Sequence, residues 1–116
     1  MVQSSSFKQI KPVRFYQSDS GREPAKDWLK RLPRSSRKVI GRDVLTLQLG
    51  WPLGMPLARK LEKDLWEVRT RLDSINARVI FTIQDDVIVL LHGFIKKSRK
   101  MPLNDLRVAK RRLGKL

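Results

Sequence analysis

The chain has 116 residues, of which 26 are Lys or Arg and 11 are Asp or Glu, a formal charge of +15, and it contains no cysteine. That length suits a single domain, 1–116, that hides roughly two-thirds of its unfolded surface, and it leaves no room for a second. Without cysteine there are no disulfides, thiolate nucleophiles or cysteine zinc sites, which fits a reducing compartment. Residues 1–11 are polar and Ser-rich, unlike a signal peptide or a membrane span, so a soluble, cytoplasmic protein is expected.

The charge is unevenly spread. Residues 1–40 hold ten cations and three anions, residues 41–95 hold seven of each, and residues 96–116 hold nine cations against Asp105 alone. If the fold brings the two ends together, they form one electropositive face, the footprint of a nucleic-acid binder. A solubilising basic tail and an acidic protein partner are the competing readings.

In chain order, residues 1–10 are aperiodic and expected to be flexible. Residues 12–17 (PVRFYQ) alternate apolar and polar side chains and predict a short strand that enters at Pro12. After Asp19, Ser20 and Gly21, a helix starts near Glu23 with Pro24 in its first turn, and Ala25, Trp28, Leu29 and Leu32 form its buried stripe. Pro33 stops it. Ser35 or Ser36 can cap a second helix with Ile40, Val44 and Leu47 on one face, widened by Val39 and Leu45 and closed by Gly50. A three-residue connection predicts that the two helices pack as a hairpin.

Residues 51–56 (WPLGMP) form a breaker-rich loop, and residues 57–63 lead into a sheet. Three strands follow over residues 65–72, 77–84 and 87–95, the last two joined by the tight pair Asp85 and Asp86. The basic loop KKSRKMP then releases a final helix at Pro102, with Leu103, Leu106, Ala109 and Leu113 on one side and Arg107 and Arg111 on another. The order strand, helix, helix, strand, strand, strand, helix predicts an α+β fold: a small, mainly antiparallel sheet with helices on one side.

LWEVR (65–69), ARVIF (77–81) and LLHGFIKKSRKMP (90–102), followed by LNDLRVAKRRL, resemble the phage-derived, HigB-like branch of the RelE/ParE toxin superfamily across residues 12–113. The resemblance implies a RelE-like fold and the toxin half of a toxin-antitoxin module. It further implies cleavage of mRNA on the translating ribosome, with neutralisation by a small helix-turn-helix antitoxin in a toxin-antitoxin hetero-oligomer. A ParE-like toxin acting on DNA gyrase and a non-enzymatic basic RNA-binding module are the alternatives.

Metal-free RNA cleavage requires help in deprotonating the 2′-hydroxyl, a proton for the leaving 5′-oxygen, and cations for the charge growing on phosphate. Arg69 and Arg78 are the first candidates for phosphate clamps, because guanidinium grips phosphate with two prongs; a salt bridge to Glu67 or another carboxylate is the structural alternative. Lys96 and Lys97 leave the last strand, and by resemblance the basic residue there assists the reaction, with Lys97 preferred as a proton donor. Arg71, Lys96, Arg99, Lys100, Arg107 and Arg111 are candidate RNA contacts.

His92 is the sole histidine and the usual first choice for acid-base work. A two-residue Asp85-Asp86 turn puts Arg78 opposite Gly93 and sets His92 and Arg78 on opposite faces, which favours a packed, hydrogen-bonded histidine; a three-residue turn would reverse the facing. Glu67 can serve as a base or sit in an ion pair with Arg69 or Arg71. Asp85 and Asp86 have no third acid to complete a metal site, so neither metal nor cofactor is expected. Trp28 and Trp66 read as core; Trp51 can stack on a base or close a hydrophobic lid.

Overall fold

The computed structural model describes residues 10–100 and 102–116; the reading of residues 1–9 as flexible lies outside them. Eight elements run in the order β1 (Val13–Phe15), α1 (Pro24–Lys30), α2 (Arg34–Gly50), β2 (Ala58–Glu62), β3 (Leu65–Leu72), β4 (Ile75–Gln84), β5 (Val87–Lys96) and α3 (Leu103–Leu113). They build one five-stranded sheet ordered β1-β5-β4-β3-β2. β1 runs parallel to β5, and every other neighbouring pair is antiparallel. The fold is thus the expected α+β, RelE-like arrangement. It gains one strand: residues 58–62, read as a lead-in, pair with β3 as an edge strand.

The helices do not share one side of the sheet. Ile40, Val44 and Leu47 of α2 and Ala25 of α1 pack with Val68, Leu72, Ala77, Val79, Phe81, Ile88 and Leu90 on one face. Ala109 of α3 packs with Tyr16, Leu65, Ile80, Val89, Leu91 and Phe94 on the other. β4 and β5 are therefore covered on both sides, which explains their nearly unbroken apolar runs. Burying a side chain such as Phe81 or Ile40 contributes about 1.5–3 kcal/mol. α1 lies mainly on β5 and α2 on β3, so the sheet, rather than a helix hairpin, takes up their stripes.

Local details follow from residue chemistry. Pro24 occupies the first turn of α1, where its missing N–H costs nothing. Pro33 precedes α2 and no side chain caps it, so Ser35 and Ser36 lie within the first turn instead of capping it. Leu103 is exposed, and the apolar stripe of α3 narrows to Leu106, Ala109 and Leu113. Trp51 stands edge-on to Trp66 at 5.2 Å and to Phe81 at 5.5 Å, as a lid over the α1/α2 face. Trp28 lies on Gly93 so closely that a Cβ there would stand 2.2 Å from its ring.

Asp85 and Asp86 make the expected two-residue turn, both with positive φ, a conformation that Asp tolerates better than most residues. From it the ladder runs Gln84↔Val87 to Phe81↔Leu90, then skips Leu91 and resumes at Ile80↔His92. This β-bulge shifts the remaining pairs by one, to Arg78↔Phe94 and Asn76↔Lys96. Each side chain beyond it changes face relative to an unbroken hairpin. His92 and Arg78 consequently share the α3 face, contrary to the expectation from the turn alone.

Candidate nucleic-acid interface

The bulge decides what the α3 face of the sheet presents. Cross-strand pairs Arg59↔Glu67 and Arg69↔Arg78 put three guanidiniums and one carboxylate on that face. Like charges directly opposite one another repel, and Glu67 is the only acid that the pairing sets among them. Arg78 is 5% exposed and Glu67 4%. The Arg78 Nε stands 3.7 Å from Glu67 Oε2, close enough for an ion pair and too far for a hydrogen bond. That buried Nε has no hydrogen-bond partner among the described residues, while Nη1 donates to the Ala77 carbonyl at 3.0 Å. Burial lowers the Arg78 pKa from its ordinary value; Glu67 opposes that shift, and Arg69 and Arg59 reinforce it. Glu67 thus pairs across the strands with Arg78 and not along its own strand with Arg69 or Arg71.

Two clefts meet at Arg78 and Asn76. The larger, about 660 Å³, is walled by the β3-β4 turn at Ser74 and Ile75 and by the strand exit carrying Lys96, Lys97 and Arg99. The smaller, about 290 Å³, is bounded by Arg69, Thr70 and Arg71 and by the loop residues Met55 and Pro56. Arg69 Nη1 donates to Met55 Sδ at 3.0 Å across its rim. Arg78 and Lys97 therefore border the same cleft, and Arg69 and Arg71 border the adjoining one. Lys100 is exposed beyond the loop, and Arg107 and Arg111 are exposed on α3, lining neither cleft.

His92 is engaged by α3. Its Nε2 lies 2.7 Å from Asp105 Oδ1 and its Nδ1 3.3 Å from Arg112 Nη1, and its ring stacks on Phe94 with centroids 5.7 Å apart. Arginine only donates, so Nδ1 accepts and the Nε2 hydrogen goes to Asp105. Arg112 Nη1 also donates to the Leu91 carbonyl at 2.7 Å, and its guanidinium sits over the Tyr16 ring at 5.7 Å. Burial lowers the Arg112 pKa.

Sequence reasoning missed Arg59, Asn76 and Arg112. Arg59 had no clear signal, because ARKLE does not alternate and its pairing with β3 is interrupted between Lys60 and Glu62. Asn76 lies just before the expected start of the strand at 77, which the structure extends to Ile75, and Arg112 carries no signal apart from the other α3 cations. Among the described residues, the cations of the two basic ends do not all share one face. The exposed cations Arg34 and Lys38 of the first stretch belong to α2, across the sheet from Lys96, Lys97 and α3. Of the cleft arginines, Arg69, Arg71 and Arg78 come from the neutral middle of the chain and Arg99 from its basic end. Among the described residues no three His, Asp or Glu gather as metal ligands, and no helix is long and apolar enough to cross a membrane.

A mainly antiparallel five-stranded sheet, with guanidiniums on its floor and a lysine-rich exit from its last inner strand, defines a RelE-like protein with an anion-attracting cleft. The model of the family described as phage derived protein Gp49-like (DUF891) matches residues 27–114, and the chain belongs to that family, which is RelE-like and of toxin type. No curated protein matches the chain.

Proposed function

We propose that the protein is the toxin of a type II toxin-antitoxin pair in the HigB-like branch. In this reading it is a metal-independent endoribonuclease that cleaves mRNA on the ribosome, in the cytoplasm, until a helix-turn-helix antitoxin neutralises it. The observation that carries this reading is the Arg69-Arg78 pair, two arginines directly opposite on neighbouring strands and both lining the smaller cleft, with Glu67 ion-paired to Arg78. A buried ion pair adds little net stability, and a repelling pair beside it lowers stability, so the arrangement suits an external anion such as phosphate. Arg78 and Arg69 would stabilise charge on the phosphate, and Lys97 would hold or protonate the leaving oxygen. Lys96, Arg71 and Arg99 would track the strand on either side. Glu67 is buried, paired with Arg78 and lines neither cleft, so it suits orienting Arg78 better than reaching a 2′-hydroxyl. The cleft offers cations and few proton carriers, as suits an enzyme whose substrate is positioned by the ribosome.

The test is induced expression followed by mapping of mRNA ends, with and without polysomes. Growth arrest with new mRNA ends confined to translated messages supports the reading, and Arg78→Ala and Lys97→Ala should remove both effects while antitoxin binding persists. Arrest with intact mRNA and trapped gyrase would assign a different target, and the absence of arrest would leave a binding module.

A further inference from the structure

We infer that Arg112, far along α3, is a positioning residue for the cleft, acting through the β5 bulge. This rests on the cleft being the reactive site. A bulge leaves a backbone group outside the ladder, and such a group needs another partner when buried. Here Leu91 is the skipped residue, and its carbonyl accepts from Arg112 Nη1 at 2.7 Å. The same nitrogen lies 3.3 Å from His92 Nδ1, whose ring is held from its other side by Asp105. Asp105 and Arg112, two turns apart on one helix, thus bracket the extra residue.

The position of that residue sets which side chains meet the cleft. With the bulge, Phe94 opposes Arg78 and Lys96 opposes Asn76. Without it the hairpin would run on in the register of Phe81↔Leu90, putting Gly93 opposite Arg78 and Ile95 opposite Asn76. Lys96 would turn toward the α1/α2 face, and Gly93 would leave Trp28, which has space for nothing larger. Arg112 therefore acts at a distance from the reacting atoms: it satisfies the carbonyl that the bulge exposes, and the bulge aims the strand exit into the cleft.

The experiment compares wild type, Arg112→Ala and Arg112→Lys in two readouts. Nuclear Overhauser contacts between backbone hydrogens give the β4-β5 register without RNA, and a translation extract programmed with a defined mRNA gives cleavage. Arg112→Ala should weaken the Arg78-Phe94 contacts, with signals of residues 91–96 broadened or shifted toward the Arg78-Gly93 pairing. Cleavage should fall roughly 10²-fold, as expected for a misplaced group. Lysine keeps one donor for the Leu91 carbonyl and should restore much of both. If Arg112→Ala does not fold, Arg112→Lys alone decides, since it must keep the Phe94 register. Wild-type cleavage in a folded Arg112→Ala protein, or lost cleavage with an unchanged register, would overturn the inference. An inactive wild type with the register effect intact would instead refute the nuclease reading.

Discussion

Arg78 can be altered in ways that separate its charge from its shape. Arg78→Lys keeps a cation beside Glu67 and loses the planar fork, so the folded protein should unfold near the wild-type temperature and cleave mRNA about 10²-fold more slowly. Arg78→Ala leaves the Glu67 carboxylate buried without its partner and should cost about 3 kcal/mol in denaturant unfolding. Adding Glu67→Gln should recover most of that stability and none of the cleavage; restored cleavage would mean that Arg78 serves only the ion pair. At this scale the sequence was informative about chemistry and silent about partners. Arginines inside apolar strands pointed to an anion, yet whether Glu67 answered Arg69, Arg71 or Arg78 depended on cross-strand neighbours that no spacing encodes.

The strands and helices were readable where one face of an element is buried and hard to read where both are. β3, bounded at 65 and 72 as expected, alternates; β5 does not, because both its faces are covered, and the bulge at Leu91 left no trace in a run of apolar residues. Gly93 was the available hint. Gly93→Ala places a methyl against the Trp28 ring and should destabilise by about 1–3 kcal/mol, and the substitution being neutral in chemical denaturation would show that Trp28 can move aside. His92→Ala removes the ring shared by Asp105 and Arg112 while leaving the Arg112 bond to the Leu91 carbonyl. It should cost about 1–2 kcal/mol and leave cleavage within roughly tenfold of wild type, whereas a fully stable but inactive variant would place the imidazole in the reaction.

For the molecule as a whole, net charge of +15 makes affinity for any polyanion unsurprising, so salt dependence is more telling than affinity. Each phosphate contact on a single strand contributes a slope of about −0.7 in log K against log salt. Removing Lys96 and Lys97 together should therefore flatten the slope for a non-cleavable RNA by about 1.4, while removing Lys38 and Arg42, across the sheet, should leave it unchanged. Equal effects of the two pairs would mean that binding follows total charge and not the clefts. The composition suggested an attraction to polyanions; the layering of helices on opposite sides of the sheet separates the cations that border the clefts from those of α2.

The parallel pairing of β1 with β5 has a consequence for synthesis. Lys11 bonds to Asp86, 75 residues later in the chain, so the first strand has no partner until the fifth has been made. Contacts this distant in sequence form late in folding. A nascent chain interrupted before residue 88 has no place to dock residues 13–15 and lacks the basic exit altogether. A truncated copy would lack both the docked first strand and the cationic wall of the larger cleft, so whatever the cleft does depends on the residues made last.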